Sequence, residues 1–315
     1  MAQPSSTHST YDHIGRREDL SDIIYDVSPV DTPYLTAIPK GKATSTKHEW
    51  LTRSLAAASG SNAVIEGDDA TTDAANANVR LFNYTQISDK VARVSGTQEA
   101  VNNAGMPRTM AREMADKMKE LKLDVETTLL QDVAYVAGTD TLARKMAGFS
   151  TYVKTNISKA SNGTAATGDG SDAYTEGTAR AFTEDLLEAA LATGWSNGAK
   201  PTMAVCNAFQ KRRFATFAGR STPTSNGDSR KVTNNVEIYI DPLGTELRVV
   251  PCRQAPTDKV FAVDPEYLEF TTLRDFQTSE LAKTGDSQQK QILVEYTQEV
   301  RNEKAHCMVA DLTTS

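Results

Sequence analysis

The segment from Met106 to Ala137 carries the clearest periodic pattern in the chain. Its apolar residues recur at steps of three or four, which places them in one stripe of an α-helix: Met110, Met114, Met118, Leu121, Val125, Leu129 and Val133. Pro107 suits the first helical turn, and Gly138 suits the end. A helix of about 30 residues would be about 45 Å long. The pattern therefore predicts a long core helix or a structural spine, and its methionine-rich stripe disfavours a coiled coil.

A proline-rich segment, YDVSPVDTPYLTAIPKGKATSTKHEW, lies between Tyr25 and Trp50. Each of its three prolines fixes its own φ and favours extended geometry in the preceding residue. The segment is too apolar for a solvated tail, since it includes Val27, Val30, Tyr34, Leu35 and Ile38. We therefore expect an extended arm that lies in an apolar groove, either on the chain's own body or on a neighbouring copy.

Two strand-like segments follow, KHEWLTRSL from Lys47 to Leu55 and VRLFNYTQI from Val79 to Ile87. Both are rich in the β-branched and aromatic residues that strands favour. Over twenty small and polar residues separate them, and loops of that length usually have a function. The pattern predicts a two-stranded finger with a flexible, acidic tip. Because an isolated two-stranded ribbon is marginally stable in water, the finger should lie against another surface.

The remaining patterns predict an α+β protein. After a small, polar segment at residues 161–177, we expect a helix that begins near Thr183, a short buried strand TMAVC, and a second helix from Ala208 to Ala218. A hairpin should join the segments VEIYI and LRVV around an Asp-Pro-Leu-Gly turn. Strands are expected near residues 260–263, 268–276, 291–300 and 305–311. A sheet of these long strands is the natural partner for the stripe of the spine.

Composition and motifs exclude several functions. The net charge of -7 disfavours broad nucleic-acid binding, and the segment Lys211-Arg212-Arg213 is interpreted as a solvated helix face. No apolar run is long enough to cross a membrane. The first residues lack the apolar core of a secretory signal, so we expect no export. Three scattered cysteines fit a reducing compartment.

The sequence supports no catalytic residue, no metal site and no cofactor. Its four histidines, at positions 8, 13, 48 and 306, are scattered and form no metal-binding motif. Neither a nucleophile elbow nor a phosphate-binding loop is present. We therefore predict that the protein is not an enzyme. An enzyme with a mobile loop and an unrecognised acid pair stays open as an alternative.

Taken in order, the predicted elements resemble the Johnson fold of tailed-bacteriophage major capsid proteins. The stretch SPVDTPYLTAIPKGKATSTKHEWLTRSL is similar to the opening of a family of major head proteins from tailed phages. The resemblance implies four parts. They are an N-terminal arm (1–45), an E-loop β-hairpin (46–90), a P-domain with the spine helix (91–160 and 258–315), and an A-domain (161–257).

The resemblance further implies a structural major capsid protein that assembles into an icosahedral head. Its expected partners are copies of itself in hexamers and pentamers, with scaffolding, portal and decoration proteins. The head would enclose DNA without specific binding, be located in the virion and assemble in the host cytoplasm. An encapsulin-like compartment shell and a tail or decoration protein are the alternatives.

Some members of this fold join subunits through an isopeptide bond from an E-loop lysine. Here no lysine occurs between Lys47 and Lys90, so we expect a non-covalent shell. Candidate interface residues lie in the arm and the finger, although either set could instead pack within the chain's own core. These candidates are Pro29, Pro33, Tyr34, Leu35, Trp50, Phe82 and Tyr84.

Overall fold

The computed structural model of the protein describes residues 29–67, 69, 76–101, 108–217 and 237–314. Within these ranges the chain forms five α-helices and twelve β-strands. The helices are α1 (Pro33–Ala37), α2 (Gly96–Ala100), α3 (Thr109–Leu130), α4 (Glu184–Ser196) and α5 (Ala208–Phe214). The strands are β1 (Lys40–Lys42), β2 (Lys47–Thr52), β3 (Val79–Tyr84), β4 (Gln86–Ser95), β5 (Ile157–Ser158), β6 (Met203–Cys206), β7 (Ile238–Ile240), β8 (Glu246–Pro251), β9 (Val260–Val263), β10 (Leu268–Glu280), β11 (Ser287–Val300) and β12 (Cys307–Val309).

Helix α3 is the predicted spine, but it is shorter than expected. The expected start at Pro107 lies outside the described residues, and the helix ends at Leu130, well before Gly138. Beyond that point tertiary partners satisfy the backbone, because the Val133 carbonyl accepts from the Gly148 N–H at 3.0 Å. The periodic pattern continued to Val133, but these competing hydrogen bonds end the helix earlier.

A four-stranded sheet packs against the spine. Its order is β1-β10-β11-β4, with β1 parallel to β10 and the other pairs antiparallel. The fully buried Leu121, Val125 and Leu129 of α3 share one core cluster with side chains of β11 such as Val294 and Tyr296. The predicted packing of the apolar stripe on the long strands is therefore confirmed.

A six-stranded sheet has the order β5-β12-β9-β6-β8-β7. The predicted hairpin is present as the antiparallel pair β7–β8. A second core cluster combines α4 with this sheet and includes Leu187, Leu191, Leu247 and Val260. Strands β9 and β12, from the last segment of the predicted P-domain, pair in this sheet alongside β6 from the predicted A-domain. The domain boundaries themselves stay a prediction.

The arm differs from its predicted extended form. Pro33 begins the five-residue helix α1, where its fixed φ suits the first turn. Tyr34, Leu35 and Ile38 are buried in the chain's own core. The Tyr34 hydroxyl accepts a hydrogen bond of 2.5 Å from Nε2 of Gln298 on β11. An extended arm on a neighbour is therefore wrong for residues 33–38, because their apolar side chains are already covered at home.

The carboxylate of Glu126 on α3 holds helix α1 in place. It accepts hydrogen bonds from the backbone N–H groups of Tyr34 at 2.8 Å and Leu35 at 2.7 Å. Glu126 is completely buried, and among the described residues it has no cationic partner. Burial raises the pKa of Glu126, while the two backbone N–H groups and the Cys252 thiol, 3.4 Å away, oppose that rise.

Replacing Glu126 with alanine tests this attachment. The variant would leave two buried N–H groups of α1 without an acceptor, which costs about 1–3 kcal/mol for each group. We expect the free energy of unfolding of the unassembled subunit, measured by urea denaturation, to fall by about 2–6 kcal/mol. The control is Glu113→Ala on the same helix, with an expected change within about 0.5 kcal/mol. Equal effects from the two variants would contradict the assigned role of Glu126.

The buried His306 makes stability depend on pH. Its ring is fully buried, and Nδ1 accepts from the Asp264 backbone N–H at 3.2 Å. Burial lowers the pKa of His306 from 6.5 to about 3. Because the unfolded chain binds this proton more readily, the contribution of neutral His306 to stability is complete above pH 6.5 and is lost as the pH falls toward 3.

Between pH 7.5 and pH 5, this single group should lower the free energy of unfolding by about 2 kcal/mol. His306→Asn keeps an acceptor near the Asp264 N–H and removes the titration. We therefore expect the variant to show a shallower loss of stability than the natural chain across this range, measured by urea denaturation at both pH values. Parallel losses in the two proteins would show that His306 is not the group responsible.

Candidate assembly surfaces

The predicted finger is present as an antiparallel ribbon of β2 and β3. Six residue pairs form it, from Lys47 opposite Tyr84 to Thr52 opposite Val79. Both strands begin where predicted and end three residues earlier, at Thr52 and Tyr84. Strand β3 ends there because Gln86 begins β4, which pairs with β11 in the four-stranded sheet. The finger therefore continues directly into the main sheet at its root.

Trp50 fixes the root of the finger to the body. Its indole N–H donates to the Val300 carbonyl at 2.9 Å, and its ring lies against Tyr152 with centroids 5.8 Å apart. On the same strand, Nε2 of His48 lies 2.9 Å from a carboxylate oxygen of Glu299. Because Trp50 is buried by the chain's own residues, it positions the finger rather than offering an exposed anchor.

Asn83 makes a second attachment on β3. Its side-chain Nδ2 donates to the carbonyls of Ala147 at 3.2 Å and Gln298 at 3.1 Å, and its Oδ1 accepts from the Ala147 N–H at 2.9 Å. The side chain is fully buried. Sequence analysis missed this residue, although a polar amide within a strand of β-branched and aromatic residues was an available signal.

Glu295 at the centre of β11 joins the finger root to two further elements. Its carboxylate accepts from Thr85 Oγ1 at 2.9 Å, from the Arg144 guanidinium at 2.6 Å and from Nε of Arg274 at 2.8 Å. The Glu295 side chain is almost fully buried. Removing one partner of such a cluster is strongly destabilising, because it leaves a buried charge uncompensated. No sequence motif pointed to this cluster.

Phe82 and Tyr84 form a half-buried aromatic cluster with Tyr135. Their ring centroids lie 5.0–5.7 Å apart in tilted and edge-on arrangements. The ammonium group of Lys47 lies 4.0 Å from the Phe82 centroid, a cation–π distance. Phe82 and Tyr84, two of the predicted finger residues, thus keep partly exposed rings at the root, whereas Tyr135 was missed because it is distant in sequence.

Beyond the root, the finger exposes apolar side chains. Leu55, Val64 and Ile65 are 90%, 84% and 78% exposed, and Leu51 and Val79 also face solvent. Residues 53–65 form no helix or strand. Grouped apolar exposure of this kind marks an interaction surface. In the arm, Pro29 and Val30 are exposed and Pro33 is half-buried, and Pro39 after α1 is exposed as well.

A buried lysine in the body has a structural explanation. Nζ of Lys259 lies 2.7 Å from Asp258 and 3.2 Å from Asp132, which follows the end of α3. Burial lowers the pKa of Lys259, but the two carboxylates outweigh it and hold the pKa above its usual value. Lys259 is therefore charged and joins the spine to the six-stranded sheet.

The described part of the chain contains neither a group of side chains suited to holding a metal ion nor a helix long and apolar enough to span a membrane. The buried thiols of Cys206, Cys252 and Cys307 have pKa values raised to about 12 by burial. They are therefore uncharged and poorly reactive at neutral pH.

Comparisons with known proteins identify the family. A family model described as SU10 major capsid protein matches residues 3–313. A major capsid protein of Escherichia phage Phieco32 is 28% identical over 342 residues, which cover 96% of both chains.

Solved structures show the same fold. The capsid asymmetric unit of cyanophage A-1(L) matches with a TM-score of 0.66 at 11% identity, over 95% of this chain and 98% of that one. The capsid of a native GTA particle matches with a TM-score of 0.62 at 13% identity, over 95% and 96%. The predicted tailed-phage capsid fold is confirmed, and the encapsulin-like and tail alternatives are not favoured. The chain belongs to the SU10 major capsid protein family and is a structural protein of a phage shell.

Proposed function

We propose that copies of this chain assemble as hexamers and pentamers into a closed icosahedral head, held by non-covalent contacts of finger and arm. One observation carries the proposal: the finger is fixed at its root and leaves Leu55, Val64 and Ile65 exposed. A two-stranded ribbon is marginal by itself. Covering its apolar side chains on a neighbouring copy would stabilise both the finger and the contact.

The contribution of the arm is narrower than the sequence predicted. Tyr34 and Leu35 are covered within the subunit, so an intersubunit role is proposed for exposed residues of the arm such as Pro29. Phe82 and Tyr84 keep partly exposed rings and are proposed as contacts at the root of the finger. Trp50 is proposed to act indirectly, by holding the finger at a fixed position.

The head would enclose DNA without binding it specifically. The net charge of -7 supports this, because tight binding to phosphates requires gathered lysine and arginine residues. Scaffolding, portal and decoration proteins are proposed as further partners, and the host cytoplasm as the place of assembly. The subunit is proposed to be a structural protein with no enzymatic activity.

Serine substitutions on the finger test its role. In Leu51→Ser with Leu55→Ser, two exposed apolar side chains become polar, and we expect the subunit to fold normally while its yield of shells falls. Denaturation curves and negative-stain electron microscopy measure the two properties. Leu142→Ser, at an exposed apolar residue outside the finger, is the control and should leave the yield unchanged. Normal shells from the double variant would contradict the proposal.

Purified shells should also dissociate completely in denaturant. The finger offers no lysine between Lys47 and Lys90, and the three cysteines are buried and uncharged at neutral pH. We therefore expect boiled particles to give one band near 34.2 kDa on a denaturing gel without reductant. A ladder of multiples that survives boiling would show covalent links between subunits.

A further inference from the structure

The strand that carries the finger changes partner at a single residue. Strand β4 pairs with β11 from Ser95 back to Gln86, and β3 pairs with β2 up to Tyr84. Thr85 lies between these two strands, so it is the residue at which the chain passes between the finger and the main sheet. Its backbone N–H donates to the Thr46 carbonyl at 2.8 Å, which closes the base of the ribbon. The direction of the finger relative to the main sheet therefore depends on how Thr85 is held.

A carboxylate holds the side chain of Thr85. Thr85 is fully buried, and its hydroxyl donates to Oε1 of Glu295 at 2.9 Å. Glu295 lies at the centre of the main sheet, on β11, opposite Ile87 of β4 and Arg274 of β10. Because a hydrogen bond to a charged acceptor is stronger than one between neutral groups, this contact restricts Thr85 more than an ordinary hydroxyl contact would.

Two cations keep the Glu295 carboxylate in place. The Arg144 guanidinium donates to it at 2.6 Å from the segment between α3 and β5, and Nε of Arg274 donates at 2.8 Å from β10. The register of β10 and β11 shifts on both sides of Arg274, and irregularities of this kind re-aim side chains. Since these contacts come from two different elements of the body, Glu295 stays in place and resists movement of Thr85.

The other attachments of the finger root lie further along β11. The Trp50 indole donates to the Val300 carbonyl, and the Asn83 side chain donates to the Gln298 carbonyl. These carbonyls are three to five residues from Glu295, which is about 10–17 Å along a strand. A ribbon that is held at one place can rotate about it, whereas a second attachment resists that rotation. Thr85 supplies the second attachment.

A small rotation at the root would move the end of the finger considerably. The six residues of β3, Val79–Tyr84, extend about 20 Å at the usual rise of a strand. A rotation of about 10° at Thr85 would therefore displace the end of β3 by about 3–4 Å. Displacements of about 1 Å are enough to impair a functional contact. The finger thus reaches a neighbouring copy at a reproducible position only if Thr85 is fixed.

We propose that Thr85 is the positioning residue of the finger: through Glu295 it fixes the direction in which the finger leaves the main sheet, and it thereby keeps the rotation between neighbouring copies uniform. Contacts between different patches close when this rotation is suitable and continue as open assemblies when it is not. A variable finger direction should therefore give particles of mixed diameter and incomplete closure. The inference rests on the proposed shell function and adds the residue that controls its geometry.

Spin-label distances in the unassembled subunit test the positioning directly. Labels on Val79→Cys at the end of β3 and on Lys122→Cys of α3 report the direction of the finger, because both positions are exposed and the three native cysteines are buried. Thr85→Val keeps the shape of the side chain and removes its hydroxyl. We expect the width of the distance distribution, measured by pulsed electron paramagnetic resonance, to increase about twofold for a displacement of about 3–4 Å.

Two variants are matched controls for this measurement. Thr85→Ser keeps the hydroxyl and should leave the distribution as narrow as in the natural chain. Thr297→Val makes the same substitution at another fully buried threonine, on β11, whose hydroxyl has no hydrogen-bond partner among the described residues. It should also leave the distribution unchanged. An unchanged width in Thr85→Val would overturn the assigned role.

A second variant keeps the test decisive if Thr85→Val does not fold. Arg274→Gln removes one of the two cations that hold Glu295, at a side chain that is 45% exposed. The hydroxyl of Thr85 is retained, but its acceptor is held less firmly. We therefore expect Arg274→Gln to broaden the same distance distribution, and a natural width in this variant would overturn the role of Glu295.

The diameter of assembled particles distinguishes positioning from stability. In negative-stain electron microscopy, Thr85→Val should give particles of several diameters together with open sheets, whereas Thr85→Ser and Thr297→Val should give uniform shells. A residue that only stabilised the subunit would lower the yield of particles and leave their diameter unchanged. Uniform diameters in Thr85→Val would therefore overturn the link between Thr85 and shell geometry.

The two measurements also separate this inference from the shell function. If the natural chain forms no closed particles under the electron microscope, the proposed function fails. The spin-label distances are measured on the unassembled subunit, so they decide in that case whether Thr85 positions the finger. If natural shells form and Thr85→Val leaves both the distances and the diameters unchanged, the shell function stands and this inference is overturned.

Discussion

The buried contact between Glu126 and the backbone of α1 determines where the chain enters the rest of the structure. Two hydrogen bonds attach Tyr34 and Leu35 to the spine helix. Immediately afterwards β1 pairs with β10, and β2 then begins the finger. The finger therefore starts from a point held by both the spine and the main sheet. A carboxylate without a cationic partner performs this role, because backbone N–H groups can satisfy its oxygens.

The finger has a root that is fixed to the body and a distal part whose side chains are exposed. At the root, Trp50 and Asn83 donate hydrogen bonds to carbonyls of the body, and Glu295 of the body accepts one from Thr85. Beyond Thr52 the exposed aliphatic side chains have no comparable cover. Ordering a segment upon binding costs conformational entropy. Because the residues of the root are already ordered, only the distal residues of the finger would contribute to this cost. The subunit thus holds the exposed part of the finger in a defined direction.

Local patterns predicted the elements whose stability depends on neighbours in sequence. The 3.6-residue stripe located the spine, β-branched and aromatic residues located the finger, and alternation located the β7–β8 hairpin. The helix at Pro33 was missed, since prolines spaced by four and six residues favour extended chain and the compensating Glu126 lies 92 positions from Tyr34. The Glu295 cluster was missed for the same reason, because Arg144 is 151 positions away. Contacts over such separations leave no local pattern.

The burial of the aromatic side chains distinguishes Trp50, which packs in the chain's own core, from Phe82, which stays partly exposed. Composition alone could not assign Trp50 to the core and Phe82 to a partly exposed surface, because both lie on the two-stranded ribbon. The difference arises from the opposite faces of β2 and β3: Trp50 faces Val300 and Tyr152, while Phe82 faces Tyr135 and Lys47. A single ribbon thus attaches to the body by one face and leaves the other partly exposed.

The charge distribution favours contacts between different surfaces rather than between identical ones. Fingers that met tip to tip would bring their acidic residues together, and like charges at close range are unfavourable. An acidic tip that meets a different patch on a second copy makes a heterologous contact. Contacts of this type generate rings when the rotation between copies closes, whereas a two-fold contact between identical patches stops at a dimer. The acidity of the finger therefore disfavours a two-fold contact between finger tips.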